Sequence, residues 1–368
     1  MLTQVTVKGV RSLEDVTVDL APFTFIVGPN GCGKSTLLDQ IERVCRCSWP
    51  GDGFSPMGTA GPELADLERR GDFTHGLDGA LQLSAVGPGG FWVSVDCDIP
   101  RGPNAGDPAT RSVGVAGRGI ALVDEVTIHQ EVDLSTVEGT LSRMRWSAQR
   151  LRLSPPALRL PVDTRQSDLA PTGFGLAAVL MDLALNDHDT YARVQSDLRR
   201  IVPAFEKLHI ERQSIKDDKG VERGAVSVEL VMRGAGRQPA RSISDGTLLA
   251  LALLTATHHP DLPSIVLMDD IDHGLHLPAQ FALVKAIRAV QEVRPELQVI
   301  CTTHSPYLLD AAKPEEVRVM ALDAKGRSHI RPLTDHPRFA KEIRGLQTGE
   351  FWATFGEDWV VEGSSDAA

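Results

Sequence analysis

Several residue types and segments that are scarce or missing in this 368-residue chain limit the class of protein to which it can belong. Aromatic residues make up only 5% of it, and there are five cysteines. An odd, scattered set of cysteines argues against a disulfide framework, and none has the paired spacing of zinc ligands. No apolar run approaches the roughly 20 residues that span a bilayer, and the N-terminus lacks the apolar core of a signal peptide. We therefore expect a reduced, cytoplasmic protein without membrane insertion.

The chain also lacks an excess of basic residues, since its formal net charge is −11. Binding of nucleic acid requires a cationic surface, so such a role must rest on a local patch. The segment between residues 143 and 165 offers one, with Asp163 as its single acid. Its members are Arg143, Arg145, Arg150, Arg152, Arg159 and Arg165. The first four are the candidate nucleic-acid contacts, although the same pattern equally fits a solvated helix face.

The overall composition is that of a globular protein that can bury a hydrophobic core, since 42% of the residues are hydrophobic and 24% are charged. Phe23–Val27 is a short apolar run typical of a buried parallel strand. Beyond residue 240 we predict a helix, a strand at Ile265–Met268, a helix over about 279–293 and a strand at Leu297–Thr302. Alternating strands and helices imply a parallel sheet covered by helices.

The middle of the chain shows other patterns. Two alternating runs flank Gly87–Gly90 and predict an antiparallel hairpin. Residues 100–118 are rich in Gly and Pro, so we expect a loop or disorder there. Helical spacing recurs within 174–208. A charged turn near Lys216–Glu222 precedes a predicted strand at Val226–Met232.

The strongest functional signal is the glycine-rich run GPNGCGKST at residues 28–36, which matches G-x-x-x-x-G-K-[ST] between a strand and a helix. Its backbone N–H groups and the helix N-terminus suit phosphate oxygens. Lys34 is expected to reach the β- and γ-phosphates, and the Ser35 hydroxyl to bind Mg²⁺. The predicted ATP-binding residues here are Asn30, Gly31, Cys32, Gly33, Lys34, Ser35 and Thr36.

A pair of acids ends the second predicted strand of the core. Asp269 and Asp270 follow four apolar residues, which indicates carboxylates that face a cation. Asp269 fits the Walker B role of holding Mg²⁺. Asp270 is then placed to polarise the attacking water. Taken without the glycine-rich run, the pair equally fits an acidic turn.

Two further motifs complete the set. His304 follows another apolar strand, at the sheet edge where parallel α/β folds bind ligands, and it is a candidate for contact with the γ-phosphate. Alone, such a histidine more often has no role. Ser244 precedes Asp245, Gly246 and an apolar helix, where it is a plausible N-cap beside an anion site.

The order of these motifs resembles the ABC ATPase superfamily, and within it the RecF-like, SMC-related and OLD-like (overcoming lysogenization defect) ATPases. The opening VRSLEDV at 10–16, which contains Arg11, looks like the N-terminal signature of that group, and Arg11 joins the ATP-binding residues on this resemblance. The segments SDGT at 244–247, DDIDHGLH at 269–276 and THSP at 303–306 also match. The resemblance is clearest over residues 1–47 and about 170–310.

The resemblance implies an ATP-dependent dimer in which Ser244, Asp245 and Gly246 act in trans on the partner's nucleotide. The chain departs from the group at three points. Asp270 stands where many members carry Glu, which favours slow hydrolysis. No glutamine loop is identified, and the span before the signature is too short for a long coiled coil.

The C-terminus resembles only the start of another module. OLD-like proteins carry a TOPRIM nuclease after the histidine strand, and residues 359–366 look like its opening strand. We expect no complete nuclease in this chain. The aromatics Phe351 and Trp352 are expected to dock on the head or on a partner.

Together these patterns predict an α/β P-loop NTPase of ABC-ATPase type. It has a mostly parallel sheet flanked by helices, an N-terminal antiparallel β subdomain and a helical insertion lobe. The expected head spans 1–335, with a core at about 1–47 and 240–335, a β/loop region at 48–120 and a helical lobe at 121–240; a tail follows at 336–368. The expected cofactors are ATP and Mg²⁺.

The predicted function is that of an ATPase which dimerises around ATP and switches a separate effector or DNA-associated complex, in DNA repair or phage defence. That biological setting rests on resemblance alone. Two alternatives stay open. One is the nucleotide-binding subunit of a membrane transporter, and the other is a non-hydrolysing scaffold whose assembly depends on nucleotide.

Overall fold

The computed structural model describes most of the chain, in segments that share one numbering. The described residues are 1–47, 80–86, 92–98, 110–116, 148–166, 168–216, 220, 222–259 and 263–362. The strands are β1 (Gln4–Val10), β2 (Leu13–Asp19), β3 (Phe23–Val27), β4 (Ala80–Val86), β5 (Trp92–Asp98), β6 (Thr110–Ala116), β7 (Ala148–Leu151), β8 (Val162–Asp163), β9 (Phe205–Lys216), β10 (Glu222–Met232), β11 (Gly236–Pro239), β12 (Ile265–Met268), β13 (Gln298–Thr302), β14 (Val317–Leu322) and β15 (Ser328–Pro332). The helices are α1 (Lys34–Cys47), α2 (Pro155–Leu158), α3 (Leu176–Asn186), α4 (His188–Ile201), α5 (Asp245–His258), α6 (Leu277–Val293), α7 (Pro306–Leu309), α8 (Phe339–Glu342) and α9 (Thr348–Phe355).

The central sheet has six strands in the order β15-β14-β3-β13-β12-β7. The five strands from β14 to β7 run parallel, and only β15 pairs antiparallel. Strands β3, β12 and β13 are buried along their whole length, as expected for a parallel sheet covered on both faces. The predicted α/β class with a mostly parallel sheet is confirmed.

A separate five-stranded antiparallel sheet has the order β2-β1-β4-β5-β6 and forms the predicted N-terminal β subdomain. The hairpin predicted around Gly87–Gly90 is present as β4 and β5. The prediction of a loop or disorder over 100–118 is wrong for residues 110–116, which form β6. Backbone pairing with the edge of β5 supplies the stability that the weak apolar pattern of this segment lacks.

The region predicted as a helical lobe contains strands as well as helices. Helices α3 and α4 lie within the span where helical spacing was recognised. The last part of that span is strand, because β9 begins at Phe205 and pairs with β10 over its length. Strand β7 belongs to the central sheet, where it lies beside β12.

Two hydrophobic cores lie on opposite faces of the central sheet. One face contacts α1 and the sheet of β1 and β2, through side chains such as Ile26, Leu267 and Ile300. The other face packs against α3, α4, α5 and α6. Helix α5 is buried from Gly246 to His258, which explains why its sequence is apolar on every side.

The C-terminal segment packs on the head instead of projecting from it. Phe351 is fully buried, and its ring contacts His336, Phe339 and Phe355. The expected TOPRIM-like strand is wrong for the described part of that segment, because Asp358–Val360 is a 3-10 helix. Trp359 is buried in this turn, and its indole N–H donates to the backbone oxygen of Gly356 at 3.1 Å. Among the described helices, none combines the length and apolar character needed to cross a bilayer.

Candidate nucleotide site

The glycine-rich loop, residues 28–33, lies between β3 and α1 as the motif requires. Gly28 has φ of 145°, and a Cβ atom there would lie 2.0 Å from the backbone oxygen of Met320. Only glycine allows the loop to pass this close to β14. The loop is therefore fixed against the central sheet and opens directly into the N-terminus of α1, where free N–H groups suit an anion.

Lys34 begins α1 and is 7% exposed. Its Nζ donates to the backbone oxygens of Gly28 and Pro29, both at 2.9 Å. The ammonium thus lies across the mouth of its own loop, where phosphate oxygens could replace the carbonyls as acceptors. Burial raises the pKa of the neighbouring Cys32 thiol, against the opposing effect of Lys34, so the thiol stays uncharged at neutral pH.

The first acid of the predicted pair lies next to the first residues of α1. Ser35 Oγ donates to Asp269 Oδ1 at 3.1 Å. Thr302, at the end of β13, contacts the same oxygen at 3.5 Å. The parallel strands β12 and β13 bring the carboxylate and this hydroxyl to one edge of the sheet.

Asp270 has an unusual backbone conformation, with φ of 47°. Few residues other than glycine adopt this region, although Asp tolerates it better than most. Its backbone N–H donates to Thr302 Oγ1 at 2.8 Å. Its carboxylate is exposed and lies 4.0 Å from Nε2 of His304. The second acid and the histidine are therefore exposed neighbours at this edge of the sheet.

A buried arginine joins the acid of β12 to the helix of the glycine-rich loop. Arg150 on β7 is 3% exposed and pairs with both Asp269 Oδ2 and Asp39 Oδ1. Arg152 donates to the same Asp39 oxygen at 2.6 Å, and the Arg150 backbone N–H donates to Glu42 at 3.2 Å. Burial opposes the charge of Arg150, but the two carboxylates outweigh it, so its pKa is raised.

The SDGT segment begins α5. Ser244 caps the helix, since its Oγ accepts from the backbone N–H of Thr247 at 3.4 Å. Asp245 is exposed and pairs with Arg159 at 2.6 Å. A Cβ atom on Gly246 would lie 2.1 Å from the backbone oxygen of Gly274, so glycine is required where the helix meets the loop after β12.

A residue that the sequence did not single out supports the glycine-rich loop from β15. Ser328 is buried, and its Oγ lies 2.8 Å from the backbone oxygen of Cys32. It also lies 2.7 Å from Oγ of Ser12, in the turn between β1 and β2. A lone serine in an edge strand carries no sequence signal for such a role.

The structure brings most of the predicted ATP-site residues to one edge of the central sheet. Asn30, Gly31, Lys34, Ser35, Asp269, Asp270 and His304 belong to this edge. Cys32 is buried within the loop, and Gly33 and Thr36 are half-buried. Arg11 is exposed, has φ of 49° and precedes Ser12 in the turn that contacts the loop through Ser328. Ser244 and Asp245 are exposed at the start of α5.

The predicted nucleic-acid patch is wrong for Arg150, because this side chain is buried and paired with two acids. The half-exposed Arg152 is bonded to Asp39. Arg159 and Arg165 are likewise paired, with Asp245 and Asp163. Arg143 and Arg145 lie outside the described residues. Each described arginine of this segment is thus paired with an acid, Arg150 in the interior and Arg152 and Arg165 at the surface.

The residues at this edge fit a nucleotide with its metal. The Ser35 hydroxyl and the Asp269 carboxylate are hard oxygen ligands of the kind that Mg²⁺ prefers, and they lie 3.1 Å apart beside the loop. Lys34 and the N-terminus of α1 supply positive charge for phosphates. The fold and this edge together define a P-loop NTPase of the ABC type.

Comparison with known proteins agrees with this class. A family model described as "AAA domain, putative AbiEii toxin, Type IV TA system" matches residues 141–310, and one described as "AAA domain" matches residues 4–45. The chain is 50% identical over 50 residues to the OLD nuclease of Thermus scotoductus, and 33% identical over 73 residues to the Septu protein PtuA of Bacillus thuringiensis. These matches cover 14% and 20% of this chain, but only 10% and 18% of the relatives.

Solved structures show the same fold at low sequence identity. An Smc head bound to the C-terminal winged-helix domain of ScpA superposes with a TM-score of 0.59 at 13% identity, covering 90% of this chain and 96% of that one. An Smc head with an extended coiled coil, bound to a ScpA domain from Pyrococcus furiosus, gives 0.51 at 13% identity, covering 94% and 99%. These comparisons support an ABC-type P-loop fold that is similar to the OLD-like and SMC-related ATPases.

Proposed function

We propose that this chain binds and hydrolyses ATP, dimerises around it and thereby switches a separate effector or DNA-associated complex. The observation that carries the proposal is the single sheet edge that presents Lys34, Ser35, Asp269, Asp270 and His304 together. This edge offers a cation for the phosphates, oxygen ligands for Mg²⁺, and a second acid and a histidine facing the same space.

In this proposal the residues of the edge have separate roles. Lys34 leaves the carbonyls of its loop for the β- and γ-phosphates, while Ser35 and Asp269 hold Mg²⁺. A metal ion held there would neutralise phosphate charge and so favour attack by water. Asp270 orients and polarises that water, and His304 donates a hydrogen bond to the γ-phosphate. The short side chain of Asp270 reaches less far than glutamate, so we expect slow turnover.

The proposed dimerisation is supported by the exposure of Ser244 and Asp245 at the start of α5. Ser244 caps this helix, since its Oγ accepts from the backbone N–H of Thr247. A γ-phosphate bound on a second copy is an anion suited to this helix N-terminus. ADP lacks the γ-phosphate, so hydrolysis removes the bridge and releases the dimer.

The partner is an effector protein. The OLD relative is named a nuclease, and the Smc heads were solved with ScpA domains bound. By analogy we propose that nucleotide-driven closing of the head dimer controls a protein of this kind, in DNA repair or phage defence. The analogy supports the kind of partner and not its identity.

Phosphate release from ATP by purified wild type and by Lys34→Ala tests the enzymatic part. We expect slow release by the wild type and none by the variant. Lys8→Ala is the matched control, since Lys8 lies on β1 as an exposed partner of Asp15. Equal release by Lys34→Ala and wild type would overturn the proposed site.

A non-hydrolysing switch is a second candidate, favoured by the short Asp270 side chain in its constrained backbone. It predicts nucleotide-dependent assembly without phosphate release. Wild type that binds ATP and changes its mass, but releases no phosphate over hours, would favour this second function over the first.

A further inference from the structure

Arg150 occupies a place that is costly for a charged side chain. It is 3% exposed, on the strand adjacent to β12, and a buried guanidinium must be paired with acids to be tolerated. Its two partners come from different elements, Asp39 from α1 and Asp269 from the end of β12. The arginine is therefore a cross-link between the helix of the glycine-rich loop and the acid predicted to hold metal.

Both carboxylate oxygens of Asp269 are engaged within the chain. Oδ1 accepts from Ser35 at 3.1 Å and from Thr302 at 3.5 Å, while Oδ2 pairs with Arg150. A carboxylate whose charge is balanced by a guanidinium attracts a divalent cation less strongly than a free one. Arg150 thus supplies Asp269 with positive charge that a metal ion would otherwise provide.

The acids of α1 hold the arginine from the opposite side. Asp39 accepts from Arg152 as well as from Arg150, and Glu42 accepts from the Arg150 backbone N–H at 3.2 Å. If Asp269 turns away, Arg150 still has an anionic partner in Asp39. Release of Asp269 therefore does not leave a buried charge without a partner, which would be strongly destabilising.

We propose that Arg150 is a positioning residue that serves as the resident counter-ion of Asp269 until nucleotide binds, and that Asp39 retains Arg150 when Asp269 is released to a divalent cation. The inference rests on the proposed function, in which Asp269 holds the metal of the nucleotide. Its consequence is that free metal binds poorly to the empty site. The negative charge of the ATP phosphates is needed before the exchange becomes favourable, so that metal and nucleotide enter together.

The test measures binding of Mn²⁺ alone to the nucleotide-free protein, by the loss of the free-Mn²⁺ electron paramagnetic resonance signal. Arg150→Met should bind Mn²⁺ about tenfold more tightly than wild type, because a unit charge close to a divalent cation is worth at least that factor. Arg150→Lys, which keeps the charge, should stay close to wild type. Adding Asp269→Asn to Arg150→Met should remove the gain.

An Arg150→Met protein that is folded and binds Mn²⁺ no more tightly than wild type overturns the proposal. A gain that survives Asp269→Asn overturns it too, since the metal would then bind elsewhere. Should Arg150→Met fail to fold, the double variant Arg150→Met/Asp39→Asn removes both charges of the Arg150–Asp39 pair. The same gain in Mn²⁺ affinity is expected of it. No nucleotide is present in these measurements, so they test the counter-ion role of Arg150 separately from nucleotide binding. Failure of the wild type to bind ATP would overturn the proposed function and the nucleotide-coupled exchange that rests on it, whereas the Mn²⁺ results would still decide the counter-ion role.

Discussion

Ser35 Oγ lies 3.1 Å from Asp269 Oδ1, although 234 positions separate the two residues in the sequence. One belongs to the first turn of α1 and the other follows β12, so the contact exists only because the central sheet places β3 and β12 on either side of β13. The geometry of this pair couples the phosphate-binding loop to the acidic edge.

Replacement of Asp270 by Asn should lower phosphate release by about 10²-fold or more while ATP still binds, because loss of a general base has effects of this size. Phosphate release and binding of a fluorescent ATP analogue are measured on the same preparation. Asp15→Asn, an exposed acid on β2, is the matched control. Unchanged turnover in Asp270→Asn would refute the role of Asp270.

Ser328→Ala removes the side-chain hydrogen bonds from β15 to Cys32 and Ser12, while the backbone bond from the Ser328 N–H to the Ser12 oxygen remains. The loop then loses a support without losing any residue that contacts nucleotide. We expect affinity for an ATP analogue to fall about fivefold, the equivalent of one hydrogen bond of ~1 kcal/mol. Ser196→Ala, at an exposed serine of α4, should leave the affinity unchanged. Wild-type affinity in Ser328→Ala would show that β15 does not position the loop.

Gly246→Ala should destabilise the fold, because its methyl group would overlap the backbone of Gly274, which has little freedom to move. Overpacking of this kind costs about 1–3 kcal/mol. The denaturant midpoint of unfolding reports the change. Gly345→Ala is a close control, since a Cβ there meets no atom within 4 Å. Equal midpoints for the two variants would mean that α5 and the loop after β12 are not tightly joined.

His336 should make the stability of the C-terminal segment depend on pH. Burial among Phe351, Phe355 and Trp359 lowers its pKa, and Arg338 lowers it further. The unfolded chain therefore takes up the proton at a higher pH than the folded one. Stability is complete above the ordinary histidine pKa of about 6.5 and is lost as pH falls through the lowered value.

Thermal unfolding across this pH range measures the effect. His336→Phe should lose less stability than wild type on acidification, whereas His188→Phe, at an exposed position of α4, should follow wild type. Parallel curves for wild type and His336→Phe would contradict the assignment.

Local sequence patterns predicted the elements of the head well. The glycine-rich run, the apolar strands that end in acid or histidine, and the Ser244 cap depend on neighbouring residues, and each lies where it was expected. Strand β6 was missed because its stability comes from pairing with β5, which no local pattern records. The start of the antiparallel strand β9 was missed for two reasons. Its first residues continue a helical spacing, and its pairing with β10 is not recorded in any local pattern.

Long-range pairing explains what the sequence could not predict about the site. Arg150 was read with its neighbours as part of a basic surface, but its partners are 111 and 119 positions away. Ser328 contacts the loop across 296 positions. Such contacts depend on the order of strands in the sheet, which the alternation of strands and helices does not fix.

The mass of Asp270→Asn in solution, with Mg-ATP and then with ADP, tests the proposed nucleotide sandwich most directly. We predict a dimer with ATP and a monomer with ADP. Ser244→Asp added to Asp270→Asn keeps an N-cap but places a carboxylate near the partner's γ-phosphate, so this double variant should stay monomeric and still bind ATP. Ser244→Thr added to Asp270→Asn should still dimerise. If the mass is the same with ATP and with ADP, and the same in both Ser244 variants, while ATP remains bound, the account is contradicted.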